Sequence, residues 1–129
     1  MKAINKVPIT RTVAMPKDTN ANGDIFGGWL MGQMDLAGAI IARKYAQGRI
    51  VTVAIDAMSF IAPVKVGDIV SCFGSVTKVG NSSVTVKLDV TAARGHEEDI
   101  HVVTNGTFIY VAVDQLGKPR RVSKTNHEK

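Results

Sequence analysis

Asp35 is the side chain whose surroundings most clearly indicate chemistry. It occurs in an apolar run, and a carboxylate inside a buried helix costs free energy unless it is paired or hydrogen-bonded. Gly32, Gly38 and Ala39 share its predicted helix face, at i−3, i+3 and i+4, and leave space beside the carboxylate. Two interpretations follow. Either a substrate or another helix approaches Asp35, or the carboxylate bonds a neighbouring backbone or basic group and the glycines allow close packing.

A second candidate site lies where the predicted helix begins, at Gly27 and Gly28. The first N–H groups of a helix lack partners and the dipole there is positive, so this end can hold an anion or a developing oxyanion. The alternative interpretation is a tight turn into the helix. Asn20, Asn22 and Asp24 of the preceding loop are typical of turns and caps, but an amide there could also orient a water or a carbonyl.

The spacing of the two sites along the helix limits how they can cooperate. Asp35 follows Gly27 by eight residues, which is about 12 Å along a helix axis at 1.5 Å per residue. Groups that far apart do not hold one reacting carbon together within one chain. If both are catalytic, we expect a site at a subunit interface, with each chain of a dimer supplying one half.

One long helix must position these residues. The run from about 27 to 47 is apolar around most of its circumference, which predicts a buried helix. Arg43 and Lys44 suit the negative end of its dipole, and Gly48 is a plausible stop.

Five segments read as strands, four of them after the helix in an order that predicts a meander. They cover residues 4–14, 50–60, 69–79, 83–94 and 100–113. One strand, one helix and four strands predict an α+β fold, with a five-stranded antiparallel sheet wrapped round a central helix. Because such a sheet has two open edges, we expect at least a homodimer.

Composition excludes several classes of protein. The chain has 129 residues, 45% of them hydrophobic and 21% charged, which predicts a single packed domain over 1–129 with a core of about 8–121. A lone Cys72 excludes a disulfide framework and a cysteine zinc site. No apolar run of 18 residues and no signal-peptide core occur, so we expect a cytoplasmic protein without a membrane span. His96 and His101 flank an acidic cluster that we interpret as a solvated loop, so we predict no metal site.

The net charge of +5 is concentrated in a basic tail, residues 118–129. Such a tail suits an anionic partner, either nucleic acid or a phosphorylated cofactor, although a solvated tail that aids solubility is an equal alternative. With 5% aromatic residues and no binding motif, we expect no nucleic-acid partner.

Three segments together resemble a known family. AMPKDTNANGDIFGGWLMGQMDLAGAI (14–40), MSFIAPVKVGD (58–68) and FIYVAVDQLGKPR (108–120) are similar to bacterial acyl-CoA thioesterases of the hotdog fold, a likeness that covers about residues 8–121. The resemblance implies hydrolysis of acyl-CoA to free acid and CoA. It implies no separate cofactor, because coenzyme A is part of the substrate and product. It also implies dimers assembled as a trimer of dimers.

The resemblance also implies roles for individual residues. Asp35 would be the catalytic carboxylate, acting as a general base on water or as a nucleophile through a mixed anhydride. Asn20 would contribute from the partner subunit, and the backbone at Gly27 and Gly28 would polarise the thioester carbonyl.

A further set of residues would bind the CoA part of the substrate. The pantetheine path would pass Ser59 and Phe60, and the nucleotide would lie near the third-strand hairpin and the segment after the last strand. The positions concerned are Lys78, Gly80, Asn81, Ser82, Lys118 and Arg120. Two departures from the family pattern affect this end: a short connection over 92–99, and Asn81 where a basic residue is expected.

Two rival functions use the same fold. A non-catalytic acyl-CoA-binding or sensing module gives no reason for a buried carboxylate at Asp35. A dehydratase or hydratase would use a histidine as acid or base, and the loop and helix contain none.

Overall fold

The computed structural model describes residues 7–95 and 99–122, and one helix packs there against a five-stranded sheet. The α+β prediction is confirmed. Part of the predicted first strand, the His96 end of the acidic loop and residues 123–129 of the basic tail lie outside the described residues. The elements are β1 (Thr10–Val13), a single 3-10 turn (Pro16–Asp18), α1 (Gly27–Ala46), β2 (Ile50–Phe60), β3 (Ile69–Val79), β4 (Ser83–Ala93) and β5 (Ile100–Ala112).

The strand order corrects the predicted meander. The sheet runs β1-β3-β4-β5-β2, and every neighbouring pair is antiparallel. β3, β4 and β5 follow one another as predicted, but β2 pairs with β5 rather than with β3. The connection over 61–68 is too long for a tight hairpin. It leads from β2 at one edge of the sheet to β3, which lies beside β1 at the other edge. β2 is therefore an edge strand of 11 residues.

The helix is buried on one side only, which corrects the expectation of burial all round. Leu30, Met34 and Ala42 are buried in the core that α1 forms with the sheet. On the other side Leu36 is 60% exposed and Ile40 45% exposed. One curved sheet covers one face of a helix, so the apolar residues opposite it have no partner among residues 7–95 and 99–122.

A row of residues four apart marks this exposed side of the helix. We call Gly28, Gly32, Leu36 and Ile40 the uncovered stripe, because all four are exposed in the single chain. Residues at i and i+4 are surface neighbours, so the stripe is continuous.

The helix ends one residue before the predicted stop region. Its last residue is Ala46, and Gln47 takes a left-handed conformation with φ 53° and donates its N–H to the Arg43 carbonyl at 2.7 Å. Gly48 follows with φ 151°, a conformation that L side chains rarely adopt, and a Cβ there would lie 2.8 Å from the Arg120 guanidinium.

A buried ion pair anchors the crossing connection to the sheet. Asp68 is fully buried and accepts hydrogen bonds from Arg94 at 2.9 and 2.8 Å and from the Lys65 backbone N–H at 2.9 Å. Burial alone raises the pKa of the Asp68 carboxyl, but the Arg94 and Lys65 hydrogen bonds and the nearby positive charges outweigh it, so the pKa is lowered. Because Asp68 stays charged, it fixes the end of the connection to the end of β4.

Candidate active site

Asp35 lies half-buried on the side of α1 that faces β2, beside the uncovered stripe. Its Oδ1 accepts a hydrogen bond from the Thr52 hydroxyl at 2.7 Å. The Tyr110 hydroxyl lies 3.1 Å from the same oxygen and 3.1 Å from the Asp35 carbonyl oxygen. The carboxylate is thus hydrogen-bonded, as one interpretation required, but to two hydroxyl groups rather than to a basic side chain.

The space beside Asp35 at Gly38 is filled by the chain itself. A Cβ at Gly38 would lie 2.2 Å from the Tyr110 hydroxyl oxygen, so only glycine admits the phenol there. Burial raises the pKa of Tyr110, and the Asp35 carboxylate raises it further. The phenol therefore stays protonated and donates to Asp35.

The second carboxylate oxygen of Asp35 is open. Both side-chain hydrogen bonds to the carboxylate go to Oδ1, and Oδ2 has no partner among the residues that the structure describes. Among the described residues, every buried side-chain oxygen or nitrogen has a hydrogen-bond partner. Because Oδ2 has none, it is not buried and reaches solvent. An accessible, oriented carboxylate oxygen can take a proton from water or attack a carbonyl carbon.

The start of α1 forms the second candidate site. Phe26 precedes the helix and supplies no side-chain cap. Within the described ranges the N–H groups of Gly27 and Gly28 have no acceptor. They lie at the positive end of a 20-residue helix, so they can receive the oxygen of a polarised carbonyl.

An open pocket of about 390 Å³ lies at this helix start. It is lined by Asn20, Asp24, Ile25, Gly27, Leu30, Phe60, Ile61, Ala62, Pro63 and Val64.

Asn20 organises the loop before the helix and also faces this pocket. Its Oδ1 accepts the backbone N–H groups of Asn22 at 2.9 Å and Asp24 at 3.1 Å, which fixes the turn. Its Nδ2 donates to no group in the described part of the chain and remains available to a ligand. The Asp24 carboxylate is ion-paired with the Lys65 ammonium.

A bulge in β2 precedes the two predicted pantetheine residues, of which Phe60 lines this pocket. The register with β5 shifts between Asp56 and Ser59, where Ala57 takes φ 51°, a strained conformation for a residue with a side chain. Beyond the bulge, the Phe60 ring lies 3.4 Å from the position of a Cβ at Gly27. The Ser59 side chain makes no hydrogen bond to described residues; its carbonyl accepts from the Thr104 hydroxyl.

The predicted nucleotide residues gather near the other end of the helix. Gly80, Asn81 and Ser82 form the β3–β4 hairpin, where Asn81 and Ser82 accept N–H groups from Val122 and Ala112, both at 2.8 Å. Lys78 and Lys118 are exposed beside this region.

Arg120, also predicted to bind the nucleotide, is engaged within the chain. Its guanidinium donates to the carbonyl groups of Val113 and Ala46 at 2.9 Å and of Arg49 at 3.4 Å. It therefore caps the C-terminal end of α1, and contact with a phosphate stays a prediction.

The two candidate sites of one chain are separated along the helix. Asp35 lies about 12 Å along the helix from Gly27. The residues predicted to bind the nucleotide lie near the C-terminal end of α1, whereas Ser59 and Phe60 lie near its N-terminal end. In the described ranges, no three His, Cys, Asp or Glu side chains are grouped as metal ligands, and no helix has the length and apolarity needed to cross a membrane.

Thr52 and Tyr110 were missed by the sequence reasoning. A signal for Tyr110 existed, since a tyrosine that alternates onto the inner face of a strand needs a partner for its hydroxyl. Its partner lies 75 positions away, so no local pattern identifies it.

Comparison with known proteins identifies several similar chains. The family model of the thioesterase superfamily matches residues 22–98. The acyl-CoA thioester hydrolase YciA of Salmonella typhimurium is 51% identical over 115 residues, which span 87% of this chain and 86% of the relative.

Solved structures agree over nearly the full chain. HI0827, a hexameric broad specificity acyl-coenzyme A thioesterase solved as a variant with an aspartate replaced by alanine, superposes with a TM-score of 0.89 at 48% identity, over 95% of this chain and 90% of that one. The hexameric thioesterase y2039 from Yersinia pestis gives 0.87 at 51% identity, over 93% and 98%. The whole described fold is therefore shared, not one motif.

Proposed function

The chain belongs to the thioesterase superfamily, with its hotdog fold, and we propose that it hydrolyses acyl-CoA to a free carboxylic acid and CoA. The observation that carries the proposal is Asp35, which has one carboxylate oxygen held by two hydroxyl donors and the other open to solvent. The relatives named as acyl-CoA hydrolases support the substrate class. No separate cofactor takes part, because coenzyme A is itself part of the substrate and product.

The reaction adds water across the thioester. In the general-base form, Asp35 Oδ2 takes a proton from a water whose oxygen bonds the carbonyl carbon, and the C–S bond then breaks as the proton passes to the leaving sulfur. In the nucleophilic form, Oδ2 bonds that carbon itself, CoA leaves, and water then hydrolyses the anhydride. In both forms the N–H groups of Gly27 and Gly28 stabilise the oxyanion, and the Asn20 amide orients the carbonyl or the water.

A homodimer would complete this site. The uncovered stripe and the exposed side chains of the β2 edge, among them Val53 at 54% and Ile55 at 40% exposure, form an apolar face that no described part of the chain covers. Two chains that pair their β2 strands and lay their helices antiparallel would cover it.

A two-fold axis near Met31 would bring the two half-sites together. Met31 is four residues from Gly27 and four from Asp35, so this axis places each Asp35 near Gly27 and Asn20 of the partner subunit. The similar proteins HI0827 and y2039 are hexameric, so we extend the proposal to a trimer of dimers.

The proposed path of CoA follows from the same arrangement. The acyl and pantetheine parts pass Phe60 and Ser59, and the phosphates reach the hairpin at 80–82. The cations of Lys78 and Lys118 are exposed there and suit the phosphate charges. A cytoplasmic location is part of the proposal, supported by a sequence with no disulfide framework.

Thiol release from short to long acyl-CoAs tests the proposal. Wild type should hydrolyse at least one of them, and Asp35→Ala should lose at least about a hundredfold in kcat. Asp99→Ala removes an exposed carboxylate away from the helix and should keep wild-type activity. No turnover by wild type on any acyl-CoA would contradict the proposal and favour a binding module. Equal activity in wild type and Asp35→Ala would make Asp35 structural.

A further inference from the structure

We propose that Thr52 and Tyr110 are positioning residues that occupy Asp35 Oδ1 and thereby select Oδ2 as the reacting oxygen, an inference that rests on the proposed hydrolysis. The two oxygens of a carboxylate are chemically equivalent until the protein distinguishes them. Here both hydroxyl donors converge on one oxygen, at 2.7 and 3.1 Å. The other oxygen is left free to act.

The convergence follows from the strand register. Thr52 on β2 stands directly opposite Tyr110 on β5, so the two side chains lie on the same face of the sheet. That face is the one against which α1 packs. The register shifts immediately after this pair, between Thr52 and Ala54. The residues of β2 beyond the shift therefore pair with β5 in a different register. One cross-strand pair thus supplies both donors.

Tyr110 is held in place by packing as well as by its hydrogen bonds. Its side chain is fully buried, its ring stacks on Phe108 with centroids 6.4 Å apart, and its hydroxyl enters the gap at Gly38. The same hydroxyl lies 3.1 Å from the Asp35 carbonyl oxygen, so it fixes the helix backbone as well as the carboxylate. A donor that is fixed to the core transmits its position to Asp35.

Thr52 adds a connection to the subunit interface. It lies on the exposed edge strand that would pair with a second copy, while its hydroxyl holds the carboxylate. Formation of the dimer would therefore fix the position of the Thr52 donor at the same time as it brings up the opposite half-site.

Steady-state hydrolysis of one acyl-CoA tests the inference with Tyr110→Phe, Thr52→Val and Thr52→Ser. Tyr110→Phe keeps the ring, and Thr52→Val keeps the shape, but each removes one donor. Each should lower kcat roughly tenfold with KM unchanged, because a loosely oriented carboxylate reacts less often while substrate binding is intact. Thr52→Ser restores the hydroxyl and should recover most of kcat. The double variant should fall further than either single one.

Tyr45→Phe is the matched control, since it removes a phenol hydroxyl ten residues further along the helix and should keep wild-type kcat. A purely structural role predicts a lower Tm with an unchanged kcat for the folded protein. Unchanged kcat in both Tyr110→Phe and Thr52→Val, with Asp35→Ala inactive, would overturn the inference and leave the hydrolysis intact. An inactive wild type would instead refute the proposed function itself.

Discussion

Mixing two inactive variants should restore hydrolysis, because each active site of the proposed dimer draws on two chains. Asp35→Ala damages one half-site and Asn20→Ala the other. Asp35 lies about 12 Å along the helix from Gly27, so the Asn20 and Asp35 of one chain are expected to serve different sites. In a mixed dimer, the chain with intact Asp35 faces the chain with intact Asn20. One complete site forms, and the second site carries both defects.

The expected recovery follows from counting the sites. Random pairing of equal amounts makes half of the dimers mixed, and half of the sites in those dimers are complete. The mixture should therefore regain about a quarter of the wild-type activity per chain, while each variant alone retains about a hundredth.

The assay is thiol release by protein from cells that express both variants at equal levels. Two mixtures serve as controls. Asn22→Ala replaces a neighbouring exposed asparagine. Its mixture with Asp35→Ala should reach about one half of wild-type activity, because every Asn20 is intact and half of all sites keep Asp35. A mixture of Asp35→Ala with Asp35→Asn carries every defect in the same half-site and should stay inactive. If the Asp35→Ala and Asn20→Ala mixture has no more activity than the mean of its components, the site lies within one chain and the interface proposal is wrong.

Three further predictions concern groups that hold the site in place. Because the folded pKa of Asp68 is lowered, its ion pair contributes stability above the unfolded pKa of about 4, and that stability is lost as the pH falls through the folded pKa. In urea titrations at pH 7, Asp68→Asn should lower the free energy of unfolding by about 3 kcal/mol and make it less dependent on acid pH. An unaltered dependence of stability on pH would contradict this. Ala57→Gly should raise the free energy of unfolding by up to about 1 kcal/mol by relieving the positive φ, whereas Ala54→Gly on the same strand should lower it by about 0.5–1 kcal/mol; equal effects would refute the strain argument. Gly38→Ala should cost about 1–3 kcal/mol in denaturant unfolding and lower kcat, because its methyl group would displace the Tyr110 hydroxyl; normal kcat would show that this contact is dispensable.

Local patterns were enough to predict most of the elements. The predicted strands 50–60 and 69–79 coincide with β2 and β3, because alternation and turn residues act over a few positions. The predicted helix over about 27–47 agrees with α1 to within one residue at its end. Asp35 and Gly27 could be singled out because their significance depends on neighbours in the same helix.

Contacts between distant segments could not be predicted in this way. The pairing of β2 with β5 depends on a crossing connection whose path is set by packing and by the Asp68 ion pair, not by the composition of either strand. The exposure of Leu36 depends on how far one sheet can wrap, and an apolar pattern does not distinguish a face covered by its own chain from one that a second chain would cover.

The sequence by itself determined where a helix carries a carboxylate, where that helix begins, and how far apart the two points lie, because each depends on spacing along one element. Only the tertiary structure decided which oxygen of Asp35 is free. That choice depends on Thr52 and Tyr110, which strand pairing brings together from 17 and 75 positions away. Hydrogen bonds between such distant positions arise from the packed sheet as a whole, and no shorter stretch of the chain contains the information.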